Sequence, residues 1–324
     1  MLTSRSGVGQ RATALLFALT ILTVAACLAF MTLGAKGSWS FVLPFRGTKL
    51  AAMLLVAYAI AVSTILFQTV TANRLLTPSI MGLDTLYVLV QTSLAFILGS
   101  SGVVALSPSM LFLAQVAAMI GLSGLLYAWL FSGRVQSLHL LMLVGIVLGV
   151  LFRSLSSLMH RIMAPNEFMI LQDRLFANFN SIDSSILLVA AAAVLAVSVY
   201  GLRLIRLLDV LLLGRDSAVA LGVDYRAVVS RILIIVAVLV SVSTALVGPT
   251  TFFGLLVASL VYRISGSERH VLLLPMSALL AALMLVGGQL VLERIFAFNT
   301  ALSIIIEFAG GIAFIVLVLR SGSR

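Results

Sequence analysis

The chain has 324 residues, of which 62% are hydrophobic and only 9% charged, with a mean hydropathy of +1.24. Soluble domains carry roughly 45–50% apolar and about 25% charged residues, and disordered chains have the opposite balance, so both classes are excluded and a polytopic membrane protein remains. The charges are lopsided, 20 Lys and Arg against 10 Asp and Glu, a net of +10; on so apolar a chain this excess reports which loops face the cytoplasm and calls for no nucleic acid partner.

About 20 apolar residues, at 1.5 Å rise each, cross the hydrocarbon core of a bilayer. Ten runs qualify, at 13–33, 50–70, 81–99, 109–131, 138–159, 184–206, 227–247, 250–262, 271–292 and 301–319. They are too long and too uniformly apolar for barrel strands. The predicted fold class is therefore all-α: one membrane domain over 1–324, with about ten transmembrane helices.

Arg5 and Arg11 precede the first run, and Val24-Ala25-Ala26-Cys27 resembles a lipoprotein cleavage site. The run continues to Gly34, however, so a retained helix is expected rather than a signal peptide. In the fifth run, Gly145 and Gly149 form a Gly-x-x-x-Gly face, which serves either close helix packing or a wide path. Arg153 falls near that run's outer end, where it snorkels to the interface. The outer loop 160–183 is polar. The inner loop 207–226 is the most charged stretch yet keeps an apolar rhythm. Its Gly214 and Gly222 bracket alanine-rich residues, predicting a short helix with a stop at each end. Spacing alone leaves two readings, a membrane-surface helix or a docking element for a cytoplasmic partner. The eighth run is short enough for a half-span packed inside the bundle. Glu307 is an acid inside the tenth run, suited to a helix–helix hydrogen bond or a subunit interface.

With the N-terminus inside, thirteen basic residues fall on inner loops (Arg5, Arg11, Arg74, Arg134, Arg203, Arg206, Arg215, Arg226, Arg231, Arg263, Arg269, Arg320, Arg324). Seven fall outside (Lys36, Arg46, Lys49, Arg153, Arg161, Arg174, Arg294), so both termini are expected in the cytoplasm.

The scarce residues exclude several chemistries. A lone Cys27 forbids a disulfide framework, and His139, His160 and His270 are too scattered in sequence to imply a metal centre. The only lysines, Lys36 and Lys49, follow no glycine, so the chain has no phosphate loop for ATP. A proton-coupled secondary transporter of a small organic or metal-chelate solute is the alternative reading; it needs acids or histidines along a pathway, where only Glu307 and Arg153 qualify. An intramembrane protease needs a nucleophile and base or paired aspartates within spans, and the near-span aspartate is Asp84, at a helix start.

Five motifs in order carry a resemblance. They are Leu43-Pro44-Phe45-Arg46; Gln68 with Asn73-Arg74-Leu75-Leu76-Thr77-Pro78-Ser79-Ile80-Met81-Gly82; Gly214-Arg215-Asp216-Ser217-Ala218-Val219-Ala220-Leu221-Gly222-Val223; Gly248-Pro249-Thr250-Thr251-Phe252-Phe253-Gly254-Leu255; and Gly310-Gly311-Ile312-Ala313-Phe314. From about residue 40 to its end the chain resembles the vitamin B12 and ferric-siderophore (FecCD-type) permeases, the membrane subunits of bacterial ABC importers. It departs where the family has Pro-His-x-x-Arg, here Ala258, Ser259 and Tyr262, and where the family has Glu-Leu-Pro-x-Gly, here Asn299 to Ser303. This is similar to a divergent branch for catecholate-type or related iron chelates.

The resemblance implies a permease of the bacterial inner membrane that performs no bond chemistry and holds no cofactor or metal of its own. ATP and Mg belong to a partner. It implies a second permease subunit, identical or related, a cytoplasmic ABC ATPase dimer below, and a periplasmic substrate-binding protein delivering a ferric siderophore above. It also implies a short cytoplasmic coupling helix pair. Gly214, Arg215, Asp216, Ala218, Leu221 and Gly222 match the coupling element, with Arg215 and Asp216 as polar contacts and Ala218 and Leu221 packing. Arg46 and Arg294, with Lys49 by spacing, stand where the family pairs with acids of its binding protein, and interfacial anchoring is the competing use of these cations. Ser137 and His139, with Gly145 and Gly149, fall at the cytoplasmic gate and pathway; His139 is also read as an ordinary interfacial histidine.

Overall fold

A computed structural model describes residues 3–34, 38–132, 138–175, 177–179 and 182–295, with short pieces between 304 and 315. Every regular element among the described residues is helical: α1 (Thr3–Thr32), α2 (Trp39–Thr71), a 3-10 turn (Pro78–Met81), α3 (Leu83–Ala105), α4 (Pro108–Ser132), α5 (Leu138–Ile162), α6 (Pro165–Leu175), α7 (Ser184–Leu202), α8 (Ile205–Leu211), α9 (Arg215–Ala220), α10 (Tyr225–Val247), α11 (Phe253–Ser265) and α12 (His270–Arg294). Among these residues, seven helical stretches are long and apolar enough to cross a bilayer, and Leu83–Gly99 and Phe253–Ser265 are shorter apolar helices. The run at 301–319 lies largely outside the described residues, as does Glu307.

The bundle has a distinct centre. The apolar windows of α2 and α10 are 67% and 72% buried, whereas that of α7 is only 11% buried. Since α7 is apolar all round, its exposed surface suits lipid. Leu233, Val236 and Leu239 of α10 pack in one core with Phe67 of α2, and Phe253 of α11 joins Met53 and Ile65 of α2 in a second.

Two interruptions lie inside this packing, where irregular backbone is tolerated only if its polar groups are satisfied. At the first, α2 ends on Ala72 in the left-handed region, φ 49°. The Gln68 side chain then donates to the Arg74 carbonyl at 2.7 Å, and the Leu75 N–H donates to Asn73 Oδ1 at 2.9 Å. The 3-10 turn follows and leads into α3. The second interruption joins α10 to α11, whose 13 residues span about 20 Å, short of a roughly 30 Å hydrocarbon core. A Cβ on Gly254 would overlap the Thr64 side chain of α2, which explains the glycine of the Phe-Phe-Gly-Leu motif.

Helices α3 and α5 touch through glycines. A Cβ on Gly82 would stand 3.0 Å from the Gly149 Cα, and one on Gly145 would stand 3.0 Å from the Met81 Cα. The Gly-x-x-x-Gly face is therefore a packing face within this chain. Replacing Gly145 with Val should overpack this crossing and destabilise the solubilised protein by about 1–3 kcal/mol, read as a lower thermal midpoint. Gly121→Ala in α4, where a Cβ meets nothing within 4 Å, should leave the midpoint in place.

Candidate functional site

α2 and α12 run antiparallel and define two ends of the bundle. Thr69 meets His270 at one end, and Arg46 and Arg294 meet the end of α1 at the other. At 1.5 Å per residue these ends are about 35 Å apart, a bilayer's thickness.

The first end carries α8 and α9. Gly214 (φ 89°, ψ 167°) and Gly222 (φ 84°) bracket α9 in backbone regions that side chains avoid, and no atom crowds either one. The backbone itself demands glycine there. The Val223 N–H closes back onto the Ala218 carbonyl at 3.0 Å, fixing the turn out of α9. Ala218 is fully buried against its own bundle, while Leu221 is 64% exposed and Val219 54%. Arg215 and Asp216 are exposed, with the Arg215 guanidinium 5.9 Å from the Tyr225 ring. Ala218 thus anchors α9 from below, and Arg215, Asp216, Val219 and Leu221 form the surface it presents outward.

Beside this helix pair is a polar cluster that the sequence did not reveal. His270, fully buried, makes contacts through both ring nitrogens, Nδ1 to Asp209 Oδ1 at 2.7 Å and Nε2 to Thr69 Oγ1 at 2.8 Å. Its backbone N–H donates to the same Asp209 oxygen at 3.0 Å. The Tyr262 ring lies 4.6 Å beneath the Arg74 guanidinium, which in turn pairs with Glu268. The only available signals were an acid inside the apolar helix Ile205–Leu211 and a histidine opening the apolar run after Ser265.

At the opposite end, the three basic residues have different surroundings. Arg46 donates to the Phe30 carbonyl at 2.5 Å and to that of Leu33 at 2.9 Å, and Arg294 also donates to the Leu33 carbonyl. Gly34, at φ 58°, leaves the space that the Arg294 guanidinium occupies. Both cations cap the carbonyl end of α1, where the helix dipole favours positive charge. Lys49 is buried, its Nζ 4.4 Å from the Phe45 ring, and feels the charges of Glu293 and Arg46. It lines a cavity of about 150 Å³ with Phe45, Thr48, Ile182 and Ser184.

The pathway residues are less grouped. Ser137 lies outside the described residues, as does the side chain of His139 at the start of α5. Gly145 and Gly149 face α3. Arg153 is exposed on the outward side of α5 among Val150, Leu151 and Leu155, without a partner among the described residues. It stands nine residues before Ile162, about 14 Å along the helix. No group of three or more His, Cys, Asp or Glu residues is assembled among the described residues.

Comparison with known proteins gives a consistent picture. The model of the FecCD transport family matches residues 10–320. The petrobactin import system permease protein YclO of Bacillus subtilis (strain 168) is 47% identical over 294 residues, covering 91% of this chain and 93% of that protein. The petrobactin import system permease protein FatC of Bacillus anthracis is 38% identical, over 85% and 78% of the two chains. Among solved structures, a metal-chelate type ABC transporter in an inward-facing conformation superposes with a TM-score of 0.83 at 25% identity, covering 95% of this chain and 99% of that one.

The shared carbonyl at Leu33 yields a double-mutant test. Arg46→Ala and Arg294→Ala should each lower the thermal midpoint by a few degrees. Because either arginine can still hold that carbonyl alone, the double variant should lose more than the sum of the two.

Proposed function

The chain belongs to the FecCD transport family, and from that membership we propose that it is the permease through which an ATP-driven importer moves a ferric siderophore of the petrobactin type. It is a multi-pass membrane protein of transport rather than an enzyme. The observation carrying the substrate class is the near full-length 47% identity to a petrobactin permease. In this reading the second permease pairs with it across a central path, a dimeric ABC ATPase docks on the α8–α9 end, and a substrate-binding protein docks on the Arg46–Arg294 end. The α8–α9 end faces the cytoplasm, as do both termini, in accord with thirteen inner against seven outer basic residues.

The chemistry follows from the two ends. The outward row Arg215, Asp216, Val219 and Leu221 offers charge and apolar contact on a stiff, glycine-bounded helix, which suits an element that must move as a body. At the other end, Arg46 and Arg294 hold α1 and leave their remaining guanidinium donors for carboxylates of the binding protein, with Lys49 set below them. In this reading the gate residues are His139, at the start of α5, and Ser137, which precedes that helix in sequence. Arg153 supports an aqueous path along the exposed face of α5. A mid-span arginine is expensive against lipid, whereas facing water it would attract an anionic chelate. An iron chelate arrives with its coordination filled, so the path needs no ligand cluster of its own.

Two substitutions on α9 separate docking from folding. Leu221→Glu should leave thermal stability unchanged while abolishing co-purification of the ATPase and uptake of radiolabelled ferric petrobactin in proteoliposomes. Ala218→Glu should instead destabilise the permease itself, because it buries a charge. ATPase capture and uptake that survive Leu221→Glu would refute the docking surface.

A further inference from the structure

We propose that Asp209, His270 and Thr69 form a latch that makes α8 and α9 move as one body with α2 and α12. The proposal rests on the coupling role given above to α9 and extends it to the means of transmission.

The chain leaves α9 through Gly222 and enters α10, where Asp224 caps the helix by accepting from the Ala227 N–H at 3.1 Å. Covalently, then, a push on α9 is delivered to α10. α8 precedes α9 and packs against α2 and α12 as well as α9. Its Asp209 reaches across 61 residues of sequence to the first turn of α12. One carboxylate oxygen there accepts from both the backbone N–H and the ring of His270. Arg269, at the N-cap of α12, makes no side-chain cap bond, so Asp209 serves as a cap supplied by another helix. The other side of the His270 ring is held by Thr69, near the end of α2. Thr69 Oγ1 also lies 2.8 Å from the Ile65 carbonyl, so this one hydroxyl sits between the His270 ring and the backbone of its own helix.

Directional bonds are what such a joint requires. Apolar helix surfaces in a membrane slide with little penalty, since lipid replaces protein contacts at similar energy. A hydrogen-bonded imidazole between a carboxylate and a hydroxyl has one register, and pulling it apart strands buried polar groups. The surrounding pair Arg74–Glu268 is more than half exposed and adds little rigidity. Asp209, His270 and Thr69 are therefore positioning residues.

The test uses the full chain in nanodiscs with its ATPase, on a Cys27→Ser background. Nitroxides at Leu213→Cys, beside α9 but outside its docking row, and at Val271→Cys, both exposed, report the distance between the α8–α9 junction and the start of α12. In the intact chain one narrow distance should persist between the nucleotide-free and ATP–vanadate-trapped states. Asp209→Ala and Thr69→Val should broaden it and shift it on trapping. Their ATP consumption per ferric petrobactin imported should rise at least about fivefold, the low end of coupling between sites. Asp209→Asn keeps the oxygen acceptor and should restore both readouts; a merely stabilising role would lower thermal midpoints without moving either.

Alanine and valine variants with unchanged distances and unchanged coupling would overturn the latch. If the unsubstituted permease captures no ATPase, the coupling role of α9 fails instead. The latch is then decided on the permease alone: a wider distribution in Asp209→Ala supports it, and identical distributions refute it.

Discussion

A backbone N–H or carbonyl left bare in hydrocarbon costs several kcal/mol, so a chain this apolar must satisfy every such group internally. That constraint accounts for the helices, and it also governs where they stop. The break after α2 is stitched by the Gln68 and Asn73 side chains, and at the break before α11 the Asn178 N–H donates to the Val247 carbonyl at 2.8 Å. Thr64, Thr77, Ser79, Asp84, Thr244, Thr250 and Thr251 gather around them, lining a cavity of about 20 Å³. This exceeds the roughly 10–15 Å³ a water needs, and so polar a wall suits one. Many hydroxyls elsewhere in the bundle turn back onto their own helices, as Thr71 does onto the Phe67 carbonyl, while Thr23 bonds across to the Leu279 carbonyl of α12.

The same accounting explains why the two ends of the bundle are built differently. At the α1 end the unsatisfied groups are carbonyls, and cations supply them: Arg46 and Arg294 donate to the last turn. At the α12 end the unsatisfied groups are N–H, and an anion supplies them, Asp209 from a different helix. Each choice follows the sign of the helix dipole. Each also leaves polar residues at the surface where partner proteins of the proposed importer would dock.

Much of this was legible in the sequence. Hydropathy located the membrane helices, and the glycines at 214 and 222 marked both stops of α9, because a positive φ is a local demand that a residue type betrays. Gly145 and Gly149 left close packing and a wide path both open, and the close approach of their backbones to Met81 and Gly82 is steric rather than conformational. What periodicity could not give was the direction of single side chains. Ala218 and Leu221 stand three positions apart in a motif expected to pack as a unit, yet one is sealed inside the bundle and the other is open. The Asp209–His270 contact was illegible because 61 residues separate two groups that each look unremarkable alone. The departure from the family pattern at Tyr262 now has a local context, since the ring carries the Arg74 guanidinium above it.

α12 shows why so apolar a structure keeps these few polar contacts. Its sequence is hydrophobic on all sides, so packing alone assigns it no preferred rotation or height. Polar bonds fix it at both ends, His270 to Asp209 and Thr69 at one and Arg294 to Leu33 at the other, about 36 Å apart along the helix. Pairing the buried His270 with a part-exposed Asp209 need add little net stability, because desolvation of the ring and solvent screening of the carboxylate offset much of the attraction. What it adds is register: a helix that greasy contacts would leave free to slide is held in a single position between α1, α2 and α8. In a transporter that must pass between discrete arrangements, a part with one defined position can be moved as a unit, and a sliding one cannot.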